Sequence, residues 1–157
     1  MDEITVGLIS DTHGLLRQEA LAALTGVERI LHAGDIGSAR VVAELERIAP
    51  VVAVRGNCDR GEWAEAYPLT QVVTVGGILI YLLHDLGQLD LNPATAGFRV
   101  VVSGHSHQAV VIEREGVIYI NPGSAGPRRF KLPVTLALLR IDGARLRPEW
   151  VRLLDPT

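Results

Sequence analysis

Residues 4–13 read Ile-Thr-Val-Gly-Leu-Ile-Ser-Asp-Thr-His, an apolar run that ends at two residue types able to bind metal ions, Asp11 and His13. A short apolar run of this kind is typical of a buried strand, so the sequence predicts a strand near residues 3–10. Asp11 and His13 lie two positions apart, and in an extended segment their side chains face the same side. The stretch therefore predicts a strand that delivers a carboxylate and an imidazole to its C-terminal end.

The same pattern recurs along the chain, because later apolar runs also stop at residues able to bind a metal ion. These residues are Asp35, Asn57, His84, and the pair His105 and His107. Since the carboxyl ends of strands in an open α/β sheet form its usual ligand-binding edge, we expect all these donors to converge there. Asp35 and Asn57 each follow a glycine, which permits close approach of the backbone to an ion.

The donor types predict two divalent ions and a phosphoester substrate. Carboxylates, imidazoles and one carboxamide suit Mn, Fe, Co, Ni or Zn, with Mg also compatible and Mn the expected ion. The single cysteine, Cys58, cannot build the thiolate cage of a structural zinc site. Paired catalytic ions lie roughly 3.5–4 Å apart and clamp the attacking and leaving oxygens of a phosphoryl group. A carboxylate must bridge them, and Asp35 is the candidate.

Several of these residues, taken alone, also have an ordinary structural explanation. Asp11 is a favoured helix N-cap, Asp35 a common turn residue, and Asn57 a residue that tolerates a left-handed turn. His84, at the end of an apolar strand, is typical of a hydrogen-bonded core histidine. The functional interpretation depends on the combination, in which every donor stands directly behind a predicted strand.

Together these motifs resemble those of the calcineurin-like metallophosphoesterases, and among them the small, capless bacterial and archaeal phosphodiesterases. The resemblance covers nearly the whole chain, and residues 121–124 look like the late loop of this branch. It implies that one ion would be held by Asp11, His13, Asp35 and His107, and the other by Asp35, Asn57, His84 and His105.

The hydrophobic pattern predicts a βαβαβ beginning followed by hairpins. Helices are expected near 16–25 and 39–48, and strands at 30–32, 51–54, 72–75, 78–83, 100–103, 109–113, 117–120, 136–141 and 146–153. Two sheets packed face to face, with helices outside, would bury all these runs. The predicted fold is α/β, a four-layer α/β/β/α metallophosphoesterase sandwich that forms a single domain over residues 1–157.

Two positions depart from the family pattern. Many members carry a histidine that assists the leaving group where this chain has Cys58, whose thiol is a poorer proton donor than an imidazolium. Asp59 is the nearest carboxylate that could orient an imidazole placed there. Asp85 replaces the glycine that usually follows the single histidine, and it either orients His84 from behind or repels an anionic substrate.

Three further residues stand beside the predicted donors. His32 is expected to pack or hydrogen-bond behind Asp35, and a supporting role for it in the site stays open. Arg128 and Arg129 are either a solvated surface pair or a source of bidentate phosphate recognition, for which Arg128 is the candidate. Asn57 is a second candidate contact to substrate.

The predicted reaction is in-line attack on phosphorus by a hydroxide shared between the two ions, with Asp35, Asn57 and Cys58 as candidate catalytic residues. Small phosphodiesters with good leaving groups are the expected substrates. Two other functions stay open, a protein-binding scaffold that kept the fold but lost catalysis and a regulator that binds a nucleotide without turnover. The complete set of ligand positions argues against the scaffold.

Composition excludes several other classes of protein. The 157 residues are 48% hydrophobic and carry a net charge of −3, with a pI near 5.9, so a nucleic-acid polymer is not the expected partner. The acidic start differs from a signal peptide, and no apolar run approaches the roughly 20 residues that cross a membrane. We expect a cytoplasmic protein in a reducing compartment, with a homodimer or homotetramer left open.

Overall fold

Ten strands form two five-stranded sheets in the computed structural model, which describes residues 3–129 and 131–155. Within those residues the strands are β1 (Ile4–Ile9), β2 (Arg29–His32), β3 (Val51–Ala53), β4 (Thr70–Val75), β5 (Ile78–Leu83), β6 (Val100–Val102), β7 (Val110–Arg114), β8 (Val117–Asn121), β9 (Thr135–Asp142) and β10 (Arg145–Arg152). The α-helices are α1 (Gln18–Ala23), α2 (Ala39–Glu46) and α3 (Pro93–Ala96), and 3₁₀ turns span Glu62–Ala66 and Leu86–Gln88.

The first sheet has the strand order β10-β9-β1-β2-β3. Strands β1, β2 and β3 are parallel, with Leu8 beside Leu31 and Leu31 beside Val52, and α1 and α2 make the connections between them. Strands β9 and β10 complete the sheet in antiparallel pairing. The carboxyl ends of β1, β2 and β3 therefore share one edge, as parallel pairing requires.

The second sheet has the order β4-β5-β6-β8-β7, with β5, β6 and β8 parallel and β4 and β7 as antiparallel edge strands. Both of its hairpins turn at positions with positive φ, Gly76-Gly77 and Glu115-Gly116. Two consecutive residues of this kind match the type I′ turn, whose twist suits the flanking strands. The hairpins that the sequence predicted in this part of the chain are confirmed.

The two sheets pack face to face, as in the predicted α/β/β/α sandwich. Buried side chains from both sheets form the central core, among them Leu8 and Leu31 from the first and Ile80 and Val100 from the second. Helices α1 and α2 cover the outer face of the first sheet. The fourth layer is thin, because the outer face of the second sheet packs mainly against α3 and the loop that leads into it.

The predicted elements agree with the structure to within two residues at each end, which is the usual uncertainty of such boundaries. Helix α3 and both 3₁₀ turns were not predicted, because segments of three to five residues are too short to show a hydrophobic period. In the described ranges, each helix is too short or too polar to cross a bilayer.

Candidate metal centre

The predicted donors all stand in loops at the carboxyl ends of parallel strands. Asp11 and His13 follow β1, and Asp35 and Asn57 follow β2 and β3 of the same sheet. The remaining three come from the second sheet, His84 after β5 and the pair His105 and His107 after β6. Since the sheets pack face to face, these loops meet at one end of the sandwich.

The backbone is strained at most of these donors. Positive φ angles occur at Asp11 (56°), His13 (47°), Asp35 (54°), His105 (71°) and His107 (64°). In the described residues, the remaining non-glycine residue with positive φ is the one in the β7–β8 turn. Such conformations cost of order 1–3 kcal/mol each and persist only where the surrounding structure enforces them, which is common at functional sites.

The buried centre of the cluster is formed by Asp11, Asp35 and three imidazoles. His107 Nε2 lies 3.2 Å from Asp11 Oδ1, and His84 Nε2 lies 3.3 Å from Asp35 Oδ2. His13 Nε2 lies between the carboxylates, 3.8 Å from Asp11 Oδ1 and 3.7 Å from Asp35 Oδ2. The two overlapping sets, Asp11 with His13 and His107, and Asp11 with Asp35 and His84, each have ligand atoms within 4.8 Å of one another.

Three atoms in this centre are buried without a hydrogen-bond partner among the described residues: Asp11 Oδ1, His13 Nε2 and His84 Nε2. His84 Nδ1 lies 2.7 Å from the Ala33 carbonyl, which can only accept, so Nδ1 carries a proton and Nε2 faces the cluster. Burial lowers the pKa of His84, but Asp35 and Asp11 outweigh it and raise the pKa above its ordinary value, and a bound cation would take the place of a proton on Nε2. Divalent cations would satisfy all three atoms. The donor set fits such ions in number and chemistry.

The protonation of the carboxylates suits cation binding. Burial alone would raise the pKa of Asp11, but the nearby His107 imidazole and the Ser10 hydroxyl, which donates to Oδ2, outweigh it and lower the pKa below its ordinary value. Burial is likewise outweighed at Asp35, where His84 and the Cys58 N–H hold the pKa well below its usual range. Both groups are therefore ionised at neutral pH.

The other two predicted donors lie at the exposed side of the centre. Asn57 Oδ1 is 3.2 Å from His105 Nδ1, so the two side chains contact each other. The His105 side chain is 48% exposed, and its Nε2 lies 4.0 Å from Asp85 Oδ2. Asp85 therefore stands beside His105, whereas the sequence had suggested His84 as its partner. The other Asp85 oxygen accepts a hydrogen bond from Gly87.

Asp59 is a supporting residue whose role the sequence analysis missed. Its buried carboxylate accepts hydrogen bonds from the backbone N–H groups of Ile36 (3.1 Å), Gly37 (2.9 Å) and Gly56 (2.9 Å). It thus ties the loop of Asp35 to the loop that precedes Asn57. The prediction that Asp59 is available to orient an imidazole at position 58 is wrong, because both of its oxygens are already bonded to the backbone.

His32 lies behind the centre, as predicted, and is completely buried. Its Nδ1 accepts from Gly34 N at 3.1 Å, so Nε2 carries the proton and donates to Thr12 Oγ1 at 3.0 Å. Thr12 in turn donates to the Ile36 carbonyl. This chain connects the loops of the two carboxylates, and burial lowers the pKa of His32 to about 4, which keeps the ring neutral.

Residues 121–124, which begin at the end of β8 in the second sheet, hydrogen-bond to two of the donor loops. Asn121 Nδ2 donates to the Gly104 carbonyl (2.9 Å) and to Ser106 Oγ (3.0 Å), on either side of His105. Ser124 Oγ donates to the Asp11 carbonyl at 3.1 Å. The loop that resembled the family's therefore holds two of the donor loops in place.

Cys58 and the two arginines surround the same centre. Cys58 Sγ lies within 4.8 Å of ligand atoms of His13 and Asp35, and burial together with the Asp35 charge raises the pKa of the thiol. The Arg128 guanidinium donates to the Asp155 carbonyl at 2.9 Å. Burial lowers the pKa of His13, and the positive charge of Arg129 acts in the same direction. The charge of Arg129 therefore reaches His13, and Arg128 as a contact to the substrate phosphate stays a prediction.

Comparisons with known proteins agree with this geometry. Residues 4–144 match the family model described as the calcineurin-like phosphoesterase superfamily domain. A probable metallophosphoesterase of Methanothermobacter thermautotrophicus is 36% identical, over 96% of this chain and 94% of that protein. A solved structure described as a novel archaeal phosphodiesterase has a TM-score of 0.78 and 25% identity, over 94% of this chain and all of that one (100%).

The same fold occurs in a protein of another kind. Vacuolar protein sorting 29 from Cryptosporidium parvum has a TM-score of 0.77 with 22% identity, over 95% of this chain and 97% of that chain. A likeness at this identity concerns the fold alone. The donors at the site, and not the fold, indicate the function.

Proposed function

Because the chain belongs to the calcineurin-like phosphoesterase superfamily, we propose that it is a dinuclear, metal-dependent phosphodiesterase that acts on small phosphodiesters. The observation that carries the proposal is the convergence of Asp11 Oδ1, His13 Nε2 and His84 Nε2, all buried without hydrogen-bond partners in the described chain. A buried polar atom without a partner costs roughly 1–3 kcal/mol. Bound cations would remove that cost.

The proposed ligands are those that the sequence motifs indicated. Asp11, His13, Asp35 and His107 would hold one ion, and Asp35, Asn57, His84 and His105 the other, with Asp35 shared between them. Manganese is the proposed native ion, and Ni, Co, Fe, Zn or Mg suit the same donors. When bound, the ions would supply an activated water for in-line attack and positive charge for the phosphoryl oxygens.

The chain's own residues prepare this chemistry. Asp11 and Asp35 are held ionised, and the Ala33 carbonyl fixes the His84 ring so that Nε2 would face a bound ion. The Cys58 thiol keeps its proton at neutral pH, because its pKa is raised, and it is a weak hydrogen-bond donor. Esters whose leaving oxygen is stable as an anion should therefore react fastest.

Open space around the centre supports a diester over a monoester. Two recesses, of about 230 Å³ and about 430 Å³, are both lined in part by Asp85 and include His105 or His84 in their walls. A phosphodiester has two ester arms to place, and each recess offers room for one. The similarity to an archaeal phosphodiesterase supports the same choice.

The test combines metal analysis with hydrolysis. We expect about two divalent ions per chain after loading with manganese, turnover of bis(p-nitrophenyl) phosphate above that of p-nitrophenyl phosphate, and reversible loss of activity on chelation. Turnover that survives complete chelation would contradict the proposal. Two bound ions without turnover of either ester would instead favour a binding protein on the same fold.

A further inference from the structure

The outer face of the second sheet is covered unevenly. Helix α3 and the loop before it pack on the part of this face that includes Tyr81, Phe98 and Val101. The edge strand β7 is left open, with Val110 36% and Ile112 45% exposed. Val110 and Ile112 lie two positions apart on one face of the strand, next to Tyr119 of β8, so together they form a continuous apolar surface.

These side chains form one wall of the recess of about 230 Å³ beside the metal centre. We call it the Ile112 pocket, and its apolar walls are Leu86, Val110, Ile112 and Tyr119. His105 and Asp85 also line it, so the pocket reaches the exposed donor His105 of the centre. Apolar walls that lead away from a cluster of polar groups are typical of a ligand site.

The sheet register holds these walls in place. Ile112 pairs with Tyr119, and Val110 pairs with Asn121, so the pocket lies across β7 and β8. The Arg114 guanidinium lies over the Tyr119 ring, 5.7 Å from its centroid. Asn121 also donates to the Gly104 carbonyl, which couples the pocket directly to the His105 loop.

We propose that the Ile112 pocket binds an uncharged aromatic ester substituent of the substrate while the phosphoryl group lies at the metal centre. This inference rests on the proposed function and names its substrate class. The Asp85 carboxylate in the lining disfavours an anionic substituent. The polar lining residue Asn121 already uses its side chain to bond Gly104, Ser106 and Gly123, so a sugar or a short polar chain would find few partners. An aromatic ring can instead pack between Leu86 and Ile112.

The test changes one exposed side chain of the pocket. Ile112→Lys places a charge in the pocket on a strand where the side chain is already half exposed. Val72→Lys is the matched control, because Val72 is 57% exposed on the opposite edge strand of the same sheet and outside the pocket. Ile112→Thr keeps a β-branched strand residue and serves as a second variant if the lysine alters folding.

Hydrolysis is measured with phenyl p-nitrophenyl phosphate and methyl p-nitrophenyl phosphate. Relative to the wild-type protein, we expect Ile112→Lys to lower kcat/KM about 10-fold, the size that burial of one ring provides. Ile112→Thr should lower kcat/KM about 3-fold, and Val72→Lys should leave it unchanged. Both esters release p-nitrophenolate and differ in the phenyl or methyl group that stays on phosphorus. If kcat/KM falls for the phenyl ester alone, the group that stays on phosphorus occupies the pocket. If it falls for both esters, the departing p-nitrophenyl group occupies it. Equal rates for Ile112→Lys and Val72→Lys on both esters would overturn the proposal.

Equilibrium binding separates this inference from the proposed function. Phenylphosphonate and methylphosphonate share a head group that is not hydrolysed, and calorimetry on the manganese-loaded protein gives their affinities. We expect about a 10-fold preference for phenylphosphonate, lost in Ile112→Lys and kept in Val72→Lys, even if no ester is turned over. Equal affinities of the wild-type protein for the two phosphonates would overturn the pocket proposal. The proposed phosphodiesterase activity would still be tested separately by the hydrolysis measurements.

Discussion

The two sides of the donor cluster differ in how firmly the protein holds them. Asp11, Asp35, His84 and His107 are each more than nine-tenths buried, whereas Asn57 and His105 are exposed. The buried donors come with partners that fix them, such as the Ala33 carbonyl behind His84. The exposed pair hydrogen-bonds mainly to each other.

This difference suggests that the two proposed ion sites differ in affinity. Buried donors held in strained backbone have already lost their conformational freedom, so they bind an ion without a further entropic cost. The exposed pair must release its mutual hydrogen bond before it can bind one. We therefore expect one tightly bound and one more labile ion.

The largest expected effect is at Asp35, the proposed ligand of both ions. Asp35→Asn removes the charge that would let one side chain bridge two cations and changes almost no volume. We expect kcat to fall at least about 10³-fold, corresponding to roughly 4 kcal/mol, with metal content reduced. Asp142→Asn, an exposed aspartate at the opposite end of β9, is the control. Full metal content and activity in Asp35→Asn would remove the bridging role.

The hydrogen bonds of His32 behind the buried donors should make the stability of the protein depend on pH. His32 has a pKa of about 4 in the folded protein against an ordinary 6.5, so its contribution is complete above pH 6.5 and is lost as the pH falls toward 4. For chelator-treated protein we expect the free energy of unfolding in urea to fall by roughly 2 kcal/mol between about pH 7.5 and about pH 5. His32→Asn, which keeps an acceptor for Gly34 but does not titrate, should have a flatter profile. Identical profiles would show that His32 does not carry this dependence.

The two histidines of residues 104–107 allow a direct comparison of the two sides. His107→Ala removes a buried donor 3.2 Å from Asp11, and His105→Ala removes an exposed one. We expect His107→Ala to weaken the tighter manganese site at least about 10-fold more than His105→Ala, roughly 1.4 kcal/mol. Calorimetric titration of both variants measures this. Equal losses would mean that burial does not distinguish the two sites.

The smallest expected effect is at Cys58. Cys58→His places a potential proton donor near the leaving group, but Asp59 is committed to three backbone N–H groups and cannot orient the ring. We expect the kcat/KM ratio of an aryl to an alkyl phosphodiester to fall by only about 3-fold, below the 10²–10⁴ of an oriented general acid. The ratio is compared at equal metal occupancy. A fall of 10²-fold would reveal an orienting partner other than Asp59.

The sequence by itself determined the fold class and the convergence of the donors. A strand at residues 4–9 that ends at Asp11 and His13 is visible in the chain, because burial on both faces demands a continuous apolar run. The repetition of that pattern at His84 and His105 indicates a shared edge without any coordinates. Local chemistry and the period of the strands carry this information.

Only the tertiary structure decided which donors are rigid and what supports them. Asp59 is one residue from Cys58 in the chain, yet its partners include Ile36 and Gly37, more than twenty residues away. The Ile112 pocket likewise exists because α3 covers only part of the second sheet. The charge of Arg129 lowers the pKa of His13, although the two residues are far apart in the sequence. Hydrogen bonds and packing between distant segments leave no period or spacing in the sequence, because they arise only when the two sheets come together.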